Sequence, residues 1–141
     1  MATLSNAKVV YGGSATAGGF TNEEVWVKVE YNFSNDTGAQ ADYIALTAGA
    51  DFIIRDFYVT CSTTCAGATA NLDLGLSAGG AELWSDKDGP TIVETTGSNI
   101  FLADAAFLPI IVPSAGTIVL GIETAALTAG IFTMNFLIKK V

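Results

Sequence analysis

The stretch Tyr43–Gly79, YIALTAGADFIIRDFYVTCSTTCAGATANLDLGLSAG, decides the fold class of this 141-residue chain. It reads as the end of a strand, a glycine turn, a long strand, a loop of small residues and a returning strand. In the long strand, Phe52, Ile53, Ile54, Phe57, Tyr58 and Val59 place apolar groups on both faces, as in a central strand or one that faces a partner. Leu72, Leu74 and Leu76 alternate with Asn71, Asp73 and Gly75, the pattern of a strand with one buried face. Arg55 and Asp56 interrupt the long strand's alternation, and a β-bulge there returns Phe57 and Val59 to the core side.

The flanking sequence repeats this grammar. From Glu24 to Phe33, Val25, Val27, Val29, Tyr31 and Phe33 alternate with Trp26, Lys28, Glu30 and Asn32, so the first set faces the core. Trp26 is the outward exception, either at the rim of an interface or covered by the amino-terminal segment. Ser34–Gln40 is a turn rich in Asn, Asp and Gly, and Asp42–Thr47 a short strand before Gly49. Ala78–Gly80 and Asp86–Pro90 bracket a short strand at Leu83 and Trp84. Thr91–Thr95 reads as another, and Ser98–Ala106 as a short helical turn. Thr117–Glu123 and Ile131–Ile138 close the chain as alternating strands. About eight short strands, with turn signals between them and no long helix, predict an all-β antiparallel sandwich, jelly-roll-like.

Domain organisation follows from length. A chain of 141 residues is one domain. Residues 1–22, with GGSATAGG at Gly12–Gly19, read as a flexible amino-terminal arm, and 23–141 as the sandwich. Lys8 to Tyr11 could add a short β-segment, so Val9, Val10 and Tyr11 are candidates for contact with a neighbouring subunit. The region from Ile100 to Ile122 is the most apolar, yet Asp104, Pro109, Pro113 and the turn at Ser114–Gly116 divide it, which argues against a membrane span. The amino terminus lacks the pattern of a secretion signal, so synthesis in a cytoplasm is expected.

Charge narrows the partners. Half of the residues are hydrophobic and 14% are charged, so the chain has few polar groups with which to cover itself. Burying surface against identical copies resolves this, and a homo-oligomer is expected. Trp26, Tyr58 and Trp84 join Val9, Val10 and Tyr11 as interface candidates. The net charge of -8 argues against nucleic acid and against anionic membranes as partners.

Catalytic chemistry finds no foothold. The chain has no histidine, which removes the usual general base, the usual triad and most zinc sites. No catalytic, metal or cofactor residues are assigned. Asp86, Asp88 and Gly89 resemble the start of a calcium loop but lack its third ligand, its closing Glu and its flanking helices. Cys61 and Cys65 would stand roughly 13 Å apart in an extended strand. A disulfide between them requires the chain to reverse within Ser62–Thr64, and two reduced thiols are the alternative.

The stretch LTAGADFIIRDFYVTCSTTC…NLDLGLSAGGAELW, the Gly-, Ala- and Thr-rich amino-terminal segment and the short acidic chain without histidine resemble capsid decoration (cement) proteins of tailed bacteriophages. The resemblance implies a trimer on the outside of an icosahedral shell, at threefold or quasi-threefold positions. Its arms would reach over neighbours, and its partner would be the major capsid protein. Two other functions fit a β building block. A glycan- or receptor-binding head of a fibre or tail tip would use Trp26, Trp84 and Tyr43. A surface subunit of another self-assembling structure would need an export signal.

Overall fold

The computed structural model describes residues 1–11, 24–89, 101–102 and 108–141. In chain order the strands are β1 (Ala2–Val10), β2 (Val25–Asn32), β3 (Asp42–Ala48), β4 (Phe52–Ala66), β5 (Asn71–Gly75), β6 (Trp84–Asp88), β7 (Phe101–Leu102), β8 (Ile110–Val112), β9 (Thr117–Glu123) and β10 (Ala129–Lys140). One helical turn, α1 (Phe33–Asp36), follows β2 and is capped by the Asn32 side chain, which accepts the Ser34 N–H.

The strands form two sheets, ordered β1-β3-β9-β5-β6 and β2-β10-β4-β7, with β8 also on β4. Strands β7 and β8 pair with different lengths of β4, at Tyr58–Val59 and at Phe52–Ile54, and together occupy one lane. Setting β1 aside and counting that lane once, the orders are first-eighth-third-sixth and second-seventh-fourth-fifth. That is the strand order of a jelly roll, in which successive strands cross between the sheets except at the β5–β6 hairpin. The predicted all-β sandwich of about eight strands is the observed fold.

Alternation explains which side chains fill the space between the sheets. Val29 and Tyr31 on β2, Phe57 and Val59 on β4, Leu72 and Leu74 on β5, Leu120 and Ile122 on β9, and Phe132, Met134 and Phe136 on β10 are all at most 1% exposed. The aromatic centre is continuous. Phe57 meets Trp84 edge-on at 5.7 Å and Phe136 at 5.1 Å, and Phe132 stacks on Tyr31 at 4.9 Å. Such pairs add roughly 0.5–1.5 kcal/mol each beyond their area.

The predicted bulge is present. Leu137 lies opposite Asp56 while Ile138 lies opposite Ile54, so Arg55 is the extra residue. Phe57 and Val59 return to the core and Arg55 and Asp56 are exposed.

Three expectations are corrected. The first ten residues are not a free arm, because β1 is an edge strand lying parallel to β3. Its register slips between Thr3 and Lys8, where Leu4 turns into the core. A buried carboxylate fixes this excursion: Asp36 accepts the Ser5 N–H at 2.6 Å and the Asn32 N–H at 2.9 Å, joining β1 to the end of β2. The run Gly12–Gly19 lies outside the described residues. Second, β4 does not give way to a loop after Thr60 but continues to Ala66, because β10 keeps pairing with it beyond Cys61. Third, Asp86–Asp88 belong to β6 rather than to a turn, and Phe101–Leu102 are strand rather than helix. The other residues of Ser98–Ala106 and the segment Thr91–Thr95 lie outside the described residues. No helix among the described residues is long and apolar enough to cross a membrane.

Candidate interaction face

The outer face of the β2-β10-β4 sheet carries the aromatic side chains that point away from the core. Trp26 on β2 lies opposite Leu137 on β10, and Tyr58 on β4 lies opposite Asn135 of the same strand. The two rings meet across β10, with centroids 5.1 Å apart and planes at 70°. Asn135, in register with Tyr58 on one side and Lys28 on the other, is 2% exposed, and its amide donates to the carbonyls of Tyr58 and Thr133. Trp26 nonetheless stays 45% exposed. A rigid edge-to-face pair of this kind offers apolar area at little entropic cost, which suits a contact surface.

The rest of this face is polar and more basic than the chain as a whole. Lys28 and Glu30 follow Trp26 along β2 at alternate positions, Thr133 lies opposite Glu30, and Lys139 lies opposite Ile53. Beside them Asn6 and Lys8 of β1 complete a shallow cleft with Lys28, Glu30 and Thr133. Its acids are engaged within the chain. Asn6 donates to Glu30 at 3.4 Å, and Glu24 pairs with Arg55 at 3.5 Å. The Asp56 carboxylate accepts the Phe57 N–H.

The interface candidates named from sequence divide into two groups. Trp26 and Tyr58 form the pair just described, and Val9 on β1 is 69% exposed. Trp84 is fully buried, against Phe57 and Phe132 of the opposite sheet, so it is a core residue and no part of an interface. Val10 and Tyr11 are 8% and 6% exposed, because β1 docks on the sheet and turns them inward. Tyr43 is also buried, with its hydroxyl donating to the Ala39 carbonyl. A glycan pocket built from Trp26, Trp84 and Tyr43 therefore does not form.

Cys61 and Cys65 are both buried thiols, with no disulfide between them. The chain does not reverse at Ser62–Thr64; the extra residues bulge outward and leave both sulfurs facing the core. The Cys61 thiol donates to the Thr63 carbonyl at 3.0 Å. Burial, first, and then the neighbouring Cys61 push the Cys65 thiol up to about 12. A thiol held protonated in this way is a poor nucleophile. Among the described residues no group of acidic or cysteine side chains is arranged to hold a metal ion.

The second sheet presents a different surface. Asp42 on β3, Gly121 on β9 and Asp73 on β5 lie side by side in register, and Glu123 follows Gly121 on the same face. A Cβ at Gly121 would stand 3.1 Å from the Asp42 carboxylate, so that side chain would have to give by a few tenths of an ångström. The β5–β6 connection folds toward these acids, with Gly79 N–H donating to Asp42 and Leu76 N–H donating to Glu82. The Gly79–Asp42 contact, unlike the strand alternation, joins residues 37 positions apart, too far in sequence to be paired by reading it.

No protein-family model matches the chain, and no curated protein matches it in sequence. Among solved structures it is similar to a chain of the acidic stable capsid structure of Helicobacter pylori bacteriophage KHP30. The similarity covers 83% of this chain and 88% of that one, with a TM-score of 0.53 and 12% identity. At that identity the likeness is one of fold: this chain shares its jelly-roll sandwich with a protein of a phage capsid.

Proposed function

We propose that the chain is a non-enzymatic virion structural protein that binds the outer surface of an icosahedral phage capsid as a trimer and stabilises it. The observation that carries this reading is the shared fold, extending over most of both chains, with a chain of a phage capsid. The composition supports it. A chain with 14% charged residues and an outward aromatic pair gains by covering that surface, and added contact area across capsomer joints is what a cement protein supplies. The major capsid protein is the partner in this reading, and the virion exterior is the location.

The test is reconstitution. Purified chain is added to phage particles that lack it, bound chain is counted after sedimentation, and the particles are heated. Saturable binding in multiples of three per site, with a higher temperature of genome release, is the expected result. Absence of binding, or binding without any gain in particle stability, would sink the cement reading.

A further inference from the structure

A double bulge in β4 brings the two cysteines together. Period-two alternation turns Phe57, Val59 and Cys61 inward and would turn Thr63 inward next. Thr63 is instead exposed, together with Ser62 and Thr64, and Cys65 is the next residue to face the core. The register shows why. β4 runs from Cys61 to Ala66, five steps, while β10 runs from Phe132 to Ala129, three steps, so β4 has two residues to spare.

Cys61 lies opposite Phe132, and Cys65 packs against Gly130, where a Cβ would stand 2.5 Å from the Cys65 sulfur. The two cysteines are therefore next neighbours on one face of the strand, two partner residues or roughly 6.7 Å apart. An unbroken strand would hold them roughly 13 Å apart. A disulfide needs Cα atoms within about 7 Å. The Cys65 thiol is already hydrogen-bonded to Cys61. The bulge thus does what a reversal of the chain would have done.

We propose that Cys61 and Cys65 form a cross-linking site, which a low-molecular-weight disulfide such as oxidised glutathione converts to an intramolecular disulfide that pins the end of β4 while the sandwich stays folded. The exchange balances. One cysteine, as thiolate, attacks a sulfur of the small disulfide, giving a mixed disulfide and releasing one small thiol. The second cysteine gives up its proton and attacks the cysteine sulfur of that mixed disulfide, releasing the second small thiol. Two protein thiols are oxidised, and one small disulfide is reduced to two thiols.

Both cysteines are 2% exposed, so the first attack proceeds through brief opening of the strand end and is slow. Such a pair ignores a passing oxidant and responds to a lasting change, as between a reducing cytoplasm and an oxidising exterior. The site rests on the strand geometry and stands or falls apart from the capsid reading.

Equilibration with mixtures of reduced and oxidised glutathione tests this, in buffer and in denaturing urea. Remaining thiols are trapped with maleimide in urea, and mass spectrometry reads the disulfide as an unlabelled monomer lighter by about 2 Da. The folded chain holds the two sulfurs against one another. Its half-oxidation should therefore come at a mixture roughly tenfold or more richer in reduced glutathione than in urea. Equilibrium is approached from both sides, with reduced chain and with chain oxidised in urea and refolded, so slow access to the thiols cannot hide the result. The oxidised chain should keep the circular dichroism of the reduced one.

Half-oxidation at the same mixture as in urea, or at a more oxidising one, overturns the proposal, because the fold then does not favour the bond. Glutathione adducts or disulfide-linked dimers in place of the lighter monomer overturn it too, and so does an oxidised chain that has lost its fold.

Discussion

Replacing Asp36 by Ala should loosen the amino-terminal strand from the sandwich. The carboxylate is 8% exposed and accepts two backbone donors, Ser5 N–H at 2.6 Å and Asn32 N–H at 2.9 Å. A hydrogen bond to a charged group contributes about 1.5–3 kcal/mol net, and a buried donor left without an acceptor costs a similar amount. Ser5 is exposed and its amide can turn to water, so its share falls at the low end. Together the two bonds are worth about 3 kcal/mol. That is a large part of the ~5–15 kcal/mol that holds a domain together. With a urea slope of about 2 kcal/mol per molar, the unfolding midpoint should fall by about 1.5 M.

Asp36→Asn refines the test. It keeps the size and one carbonyl oxygen but turns an NH₂ toward the other donor, so one bond is lost and the drop should be about two-thirds as large. Amide exchange locates the effect: Ser5 and Asn32 should lose protection in both variants, before the amides of β10. A midpoint within about 0.2 M of wild type, or unchanged protection at Ser5 and Asn32, would refute the assignment of Asp36 as the residue that holds β1 in place.

Two further predictions concern the cysteine-bearing end of β4. Gly130 sits at φ +139°, and a Cβ there would stand 2.5 Å from Cys65 Sγ and 3.1 Å from Cys65 Cα. Gly130→Ala should therefore destabilise by ~2–5 kcal/mol, from backbone strain and overpacking together. Adding Cys65→Ala should recover the side-chain part only, and full recovery in urea unfolding would show that the backbone carries no strain. The second concerns pH. Cys65 keeps its proton up to about 12 in the folded chain, against 9.0 for the unfolded thiol. Its contribution is therefore intact below pH 9 and is lost as pH rises from 9 toward 12. Tyr31, raised by burial first and then by Cys65, Tyr43 and Asp36, acts in the same direction. Urea midpoints at pH 8 and pH 10.5 should differ, and less so in Cys65→Ala; equal differences in both proteins would remove Cys65 from this account.

Sequence alone determined the class of fold. Period-two alternation in β2, β5, β9 and β10 states directly which side chains face inward, because a strand turns its residues to opposite sides in turn. Even the bulge at Arg55 was legible, since two adjacent charges in a buried strand leave no other local solution. The outward position of Trp26 followed from the same alternation.

Tertiary structure decided what alternation cannot express. Trp84 has the same outward-ready chemistry as Trp26, but Phe57 and Phe132 of the opposite sheet enclose it. Ahead of the β-segment read at Lys8–Tyr11, the first seven residues have little local preference for a strand, and join one because the edge of β3 and the Asp36 carboxylate, more than thirty residues away, take up their backbone donors. The pairing of Trp26 with Tyr58 across β10, and the row of Asp42, Gly121 and Asp73 on the other sheet, depend on register between distant strands. Register is fixed by the whole core at once, since a slip of one residue in any strand would turn its apolar side chains out to water.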